Sequence, residues 1–242
     1  MTSRLLPLIH GILIVLLVVL FPAGARSQEQ DRTDTPPPAG QQTAQQSVIE
    51  AIGNRQNNYI GLGTSPDIEN AYNSLAGATP DTLKTLVQWF DSNATNVYGD
   101  SKSPPVSVSN VNMGTAANPA VDVVYGNYTM NGNTNGYGTL VVTGTLTFGG
   151  DYSWNGIILV IGDGAAVIDG GGQGQINGAL FLANTSAGGS SFGSPTLTYT
   201  GGGGNGVYYD HCWVDNSLNN VNWTPMVDKG ELKVISLRML DL

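Results

Sequence analysis

Asn155-Gly156-Ile157-Ile158-Leu159-Val160 decides how this chain is read, because the pattern recurs. Tyr137-Gly138-Thr139-Leu140-Val141-Val142 precedes it. Asn177-Gly178-Ala179-Leu180-Phe181-Leu182 and Asn205-Gly206-Val207-Tyr208-Tyr209-Asp210 follow, the four copies being spaced by 18, 22 and 28 residues. Val121-Asp122-Val123-Val124-Tyr125-Gly126 supplies an earlier rung. Self-similarity at such periods marks a repeat architecture. Asn and Gly both tolerate positive φ, so each Asn-Gly reads as a turn leading into a short strand. Each coil then buries its side chains only against its neighbours. The runs 157–161 and 179–182 are nearly continuous in apolar residues, as expected of strands covered on both faces. An antiparallel sandwich would alternate strictly and turn about every 8–12 residues. The expected fold is mainly β: a short right-handed parallel β-helix (β-solenoid) over residues 106–242.

Residues 47–105 read as a helical and irregular lead-in with two short helices. Ser65-Pro66 is a helix start, with Ile68, Tyr72 and Leu75 on one face and Gly77 at the end. Thr79-Pro80-Asp81 repeats the signal, and Leu83, Leu86, Val87 and Phe90 follow at i, i+3, i+4, i+7. The helices are expected to pack on the solenoid or cap it, since unpaired strand edges invite aggregation. The strand-like tail Leu232–Met239 is a second candidate for closing an end.

Residues 26–46 read as a disordered linker with Pro36-Pro37-Pro38 in polyproline II. Residues 1–25 read as a signal peptide. Arg4 is followed by an apolar run over Leu5–Phe21 and by Ala23-Gly24-Ala25, small residues that a signal peptidase accepts. The expected destination is the periplasm, the cell surface or the extracellular space, with no stable membrane span after cleavage.

The chain has 242 residues and a formal net charge of −9, yet only 11% of its residues are charged. No Lys or Arg lies between Ser103 and Asp228, a stretch that holds Asp122, Asp151, Asp163, Asp169, Asp210, Asp215 and Asp228. Nucleic-acid binding needs cations on phosphates, so this block excludes it. The single Cys excludes an intramolecular disulfide scaffold and a Cys-rich zinc site.

Residues that carry chemistry are few. Asp163 and Asp169, near a Gly-rich turn, are candidate ligands for a structural Ca²⁺, and no other cofactor is implied. Tyr208, Tyr209, Trp213 and Trp223 form a candidate platform for stacking on sugars. Gly189-Ser190-Ser191-Phe192-Gly193 has the spelling of a nucleophile elbow, and a Ser191–His211–Asp215 triad can be written down. An elbow needs a strand before it and a helix after it, and Ser194-Pro195 follows here. His211 and Cys212 are neighbours, read as pointing to opposite faces of a strand with Cys212 buried and inert. Gly201–Gly204 lacks the Lys of a phosphate loop and reads as a corner. No catalytic residue is expected.

Several runs also occur in a familiar order: Asn135–Leu146, Trp154–Gly164, Gly174–Ala179, Gly201–Asp210 and the tail Leu232–Leu240. Over roughly residues 121–240 they resemble the C-terminal region of bacterial pilus-assembly PilX-like proteins. The resemblance implies a surface or pilus-associated structural domain, partnered by other envelope or pilus proteins, with no enzymatic residues to carry over. The family's prepilin-type start, a Gly before the cleavage point and a Glu soon after, has no counterpart in the leader. The alternative is a carbohydrate-binding or carbohydrate-cleaving β-helix protein, with surface glycans as partners. Glycoside cleavage needs two carboxylates at fixed separation, and the sequence pairs none.

Overall fold

The computed structural model of the chain describes residues 39–61, 65–68, 79–169, 171–188 and 190–221. Seven strands form sheet A, in the order β1 (Tyr59–Ile60), β12 (Gly206–Tyr208), β10 (Gln175–Asn184), β8 (Ser153–Gly162), β6 (Asn135–Val142), β4 (Ala120–Val124) and β2 (Asn96–Tyr98). Five form sheet B, in the order β11 (Thr196–Tyr199), β9 (Ala165–Asp169), β7 (Thr145–Gly149), β5 (Gly126–Asn131) and β3 (Val106–Ser109). Neighbouring strands in both sheets run parallel, and the chain winds from one sheet to the other through about four turns of a β-solenoid.

The alternation along the central strands explains their unbroken apolar character. Ile158 and Val160 of β8 face the interior, beside Leu140 and Val142 of β6 and Phe148 of β7. Ile157, Leu159 and Ile161 face outward, beneath helices. Helix α2 (Pro80–Ser92) lays Leu83, Leu86, Val87 and Phe90 on the outer face of sheet A, and helix α3 (His211–Asn219) adds Val214. Both faces of sheet A are therefore dry, and strict alternation of polar and apolar residues would leave one of them unsatisfied. The helices pack on the wall rather than on an end.

Helix α2 starts where the sequence signals it. Thr79 is the N-cap, its Oγ1 accepting the Thr82 N–H at 3.2 Å while Thr82 Oγ1 accepts the Thr79 N–H at 3.1 Å. Thr79→Ala breaks this reciprocal pair and is expected to lower stability by about 1 kcal/mol. Urea unfolding followed by far-UV circular dichroism measures the loss.

The end of the solenoid beyond β11 and β12 is closed by a segment that the sequence read partly as linker and partly as lead-in. Helix α1 (Ala39–Ile52) begins inside residues 26–46, runs into a 3₁₀ turn (Gly53–Asn58) and then into β1. Ala and Gln are strong helix formers, and Val48 and Ile52, four apart on one face, reach the interior core. Arg55 fastens the cap. Its guanidinium donates to the Gly201 carbonyl at 2.6 Å and the Gly203 carbonyl at 3.1 Å, and lies 4.5 Å from the centre of the Tyr199 ring.

Four further expectations change. The solenoid begins at β2, ahead of residue 106, because Asn96–Tyr98 pair with Asp122–Val124. Ser65–Ile68 are not helical, and residues 69–78 of the helix expected there lie outside the described residues. The leader and the tail Leu232–Met239 lie outside them too. The fourth repeat stacks out of register, Gly206 lying beside Gln175 and Tyr208 beside Asn177, so Asn205-Gly206 does not continue the column above it. Among the described residues no helix is long and apolar enough to cross a membrane.

The fourth change concerns two of the Asn-Gly pairs, which are not corners. Asn155-Gly156 and Asn177-Gly178 lie inside β8 and β10, and Gly138, Gly156 and Gly178 sit directly beside one another in register. Their φ values are +113°, +139° and +144°. A Cβ on Gly156 would fall 2.1 Å from the Gly138 carbonyl oxygen and 2.3 Å from Ser217 Oγ. The column thus lets successive rungs approach on one side and α3 on the other.

Corner chemistry falls to other Asn and Asp side chains, which accept backbone N–H groups from a neighbouring rung. Asn127 Oδ1 takes the Thr145 N–H at 2.8 Å, Asp151 Oδ1 the Gln173 N–H at 2.8 Å, and Asn205 Oδ1 the Gly174 N–H at 2.7 Å.

Candidate functional site at the start of helix α3

Sheet A's outer face ends, after β12, in the segment that starts α3. Asp210 is the N-cap. Its extended backbone and short carboxylate suit the position, and Oδ1 accepts the N–H of Cys212 at 2.9 Å and of Trp213 at 3.2 Å. The negative cap also complements the positive end of the helix dipole.

The turn corrects the strand reading of residues 211–212. In a helical first turn, adjacent side chains no longer diverge to opposite faces. Cys212 is exposed rather than buried, and its Sγ lies 3.3 Å from His211 Nε2. One ligand atom from each of Asp210, His211 and Cys212 falls within 4.8 Å of the other two. It is the one such group of three or more among the described residues. The signal was present in the sequence as Asp-His-Cys, but its convergence depends on the helix start.

The calcium candidates do not come together. Asp163 lies in the corner before β9 and Asp169 at its far end, both exposed. Asp169 Oδ1 accepts the Thr200 hydroxyl at 2.6 Å, a bond between rungs.

The aromatic candidates divide. Tyr209 packs against the outer core. Tyr208 lies in register between Ile60 and Asn177. The Trp213 ring lies 5.5 Å from that of Tyr137, tilted by 56°, and both are half-buried. Trp223 lies outside the described residues.

The loop holding Ser191 joins β10 to β11 with no helix among its described residues, so the strand–turn–helix of a nucleophile elbow is not formed. Gly201 and Gly203 present carbonyls to Arg55, the opposite polarity from a phosphate cradle.

Two buried groups were not singled out from sequence. Asp122 points into the solenoid and is fully buried. Asn96 Nδ2 donates to its Oδ1 at 2.7 Å, and Oδ2 has no hydrogen-bond partner among the described residues. Burial pushes its carboxyl up to about 6, against the lowering pull of the Asn96 bond. At the other end, the hydroxyls of Tyr59 and Tyr199 hydrogen-bond to each other, and burial raises both phenols. Nothing in an alternating pattern distinguishes these inward polar residues from outward ones.

Comparison with protein-family models, with curated proteins and with solved structures gave no match.

Proposed function

We propose that this chain is an exported, non-catalytic structural module of the cell envelope, associated with type IV pili. The observation that carries the reading is the in-register parallel stack, sealed by apolar cores on both faces of sheet A. Such a stack is a stiff spacer, because each rung is held by its neighbours over its whole length. The run without Lys or Arg through 103–221 suits a body that meets protein rather than phosphate. Among the described residues the large exposed hydrophobics are Ile60 and Val97, on β1 and β2, the two outermost strands of sheet A. Those edges offer contact points to envelope or pilus proteins. The leader and the PilX-like runs support export and the pilus setting.

Fractionation of cells expressing the tagged full chain tests this. The chain is expected to co-sediment with envelope and sheared pili. Recovery solely as a free soluble species overturns the proposal.

Carbohydrate recognition is the second reading, supported by the half-exposed Tyr137–Trp213 pair. A glycan array on which Trp213→Ala abolishes binding would establish it, and an array without hits would remove it.

A further inference from the structure

We infer that Asp210, His211 and Cys212 form a binding site for one divalent transition-metal ion of the zinc type. Four such bonds of about 2.0–2.3 Å, arranged tetrahedrally, set ligand atoms roughly 3.3–3.7 Å apart. Sγ and Nε2 already stand 3.3 Å apart, and the whole set lies within 4.8 Å. Small rotations of the exposed His211 and Cys212 side chains close the remaining distance.

The donor set selects the metal. A thiolate and an imidazole suit Zn²⁺, Co²⁺ or Cu²⁺, whereas Ca²⁺ takes oxygen ligands and would find a single carboxylate here. Asp210 is already oriented: Oδ1 is engaged by two N–H groups of the helix, which leaves Oδ2 for the ion. A cation at a helix N-terminus meets the positive end of the dipole. The Asp210 carboxylate and the thiolate place two negative charges between the dipole and the ion. On binding, the Cys212 S–H bond breaks, the proton passes to solvent, and the sulfur lone pair forms the metal–sulfur bond. The fourth position stays open to water or to a side chain of a partner.

Titration of the reduced full chain with Co²⁺ tests the site, read by the thiolate-to-cobalt charge-transfer absorption. One equivalent is expected to bind. Cys212→Ser is expected to abolish the band. His211→Ala and Asp210→Asn are each expected to weaken binding at least ~10-fold, the loss seen when even an outer-shell partner is removed. Asparagine keeps the N-cap, so Asp210→Asn separates ligation from helix stability. Thermal melts confirm that each variant is folded. Absence of the band, its survival in Cys212→Ser, unchanged affinity in His211→Ala or Asp210→Asn, or equal weakening by Asp163→Asn would each overturn the proposal.

Discussion

Gly156→Ala is expected to destabilise the protein by about 2–6 kcal/mol. Two costs add. A φ of +139° lies where only glycine is comfortable, a strain of roughly 1–3 kcal/mol for other residues. The new methyl also has nowhere to go: the Gly138 carbonyl oxygen would be 2.1 Å away and Ser217 Oγ 2.3 Å away. Overpacking of that kind costs about 1–3 kcal/mol more. The serine can rotate, but the carbonyl belongs to the backbone of the next rung.

Gly132→Ala is the matched control. Gly132 has φ +61° and open space where the Cβ would stand, so left-handed strain alone applies, roughly 1–2 kcal/mol. Denaturant unfolding of both variants measures the difference. Equal losses would show that close approach along the glycine column does not set the spacing of the rungs.

Asp122→Asn is expected to stabilise the protein at pH 7 by about 3 kcal/mol and to have little effect near pH 4. The carboxyl titrates at about 6 in the folded state against an ordinary 3.8. Between those values the unfolded chain has released its proton while the native state keeps it. The native state therefore binds more protons, and its stability falls as pH rises from about 4 to about 6. Above that range the folded protein holds a buried charge whose Oδ2 has no hydrogen-bond partner among the described residues. Asparagine carries no charge, and its carbonyl can accept the same Asn96 bond. Other carboxylates have their own pH dependence, so the quantity to follow is the difference between variant and parent across pH 4, 5, 6 and 7. A difference that stays flat with pH would mean that residue 122 is already solvated.

Hydrophobic pattern and repeat spacing were enough to read a parallel solenoid. The runs after Gly138, Gly156 and Gly178 have the length and apolarity of strands buried on both faces, and the 18- and 22-residue steps between them fall in register. Helix α2 was equally legible, because Thr79-Pro80 and the stripe from Leu83 to Phe90 are local signals with local causes. Asn155-Gly156 and Asn177-Gly178 were located correctly but misassigned as corners. Positive φ is the same signal whether the chain turns there or passes a neighbouring carbonyl mid-strand, and only the adjacent rung tells the two apart.

Residue chemistry by itself determined the repeat, the acidic, Lys- and Arg-free body and the start of α2, since each is a property of neighbouring residues or of composition. Tertiary structure decided what depends on partners far along the chain. It bent residues 39–60 over the end of the coil, where Arg55 meets carbonyls nearly 150 positions away. It slid the fourth repeat out of register against Gln175–Asn177. It buried Asp122, and it turned residues 211–212 from a strand into a helix start on which histidine and cysteine meet. The reason is physical: local sequence sets a residue's preferred φ and face, while burial, register and the convergence of side chains exist only once distant segments are packed together.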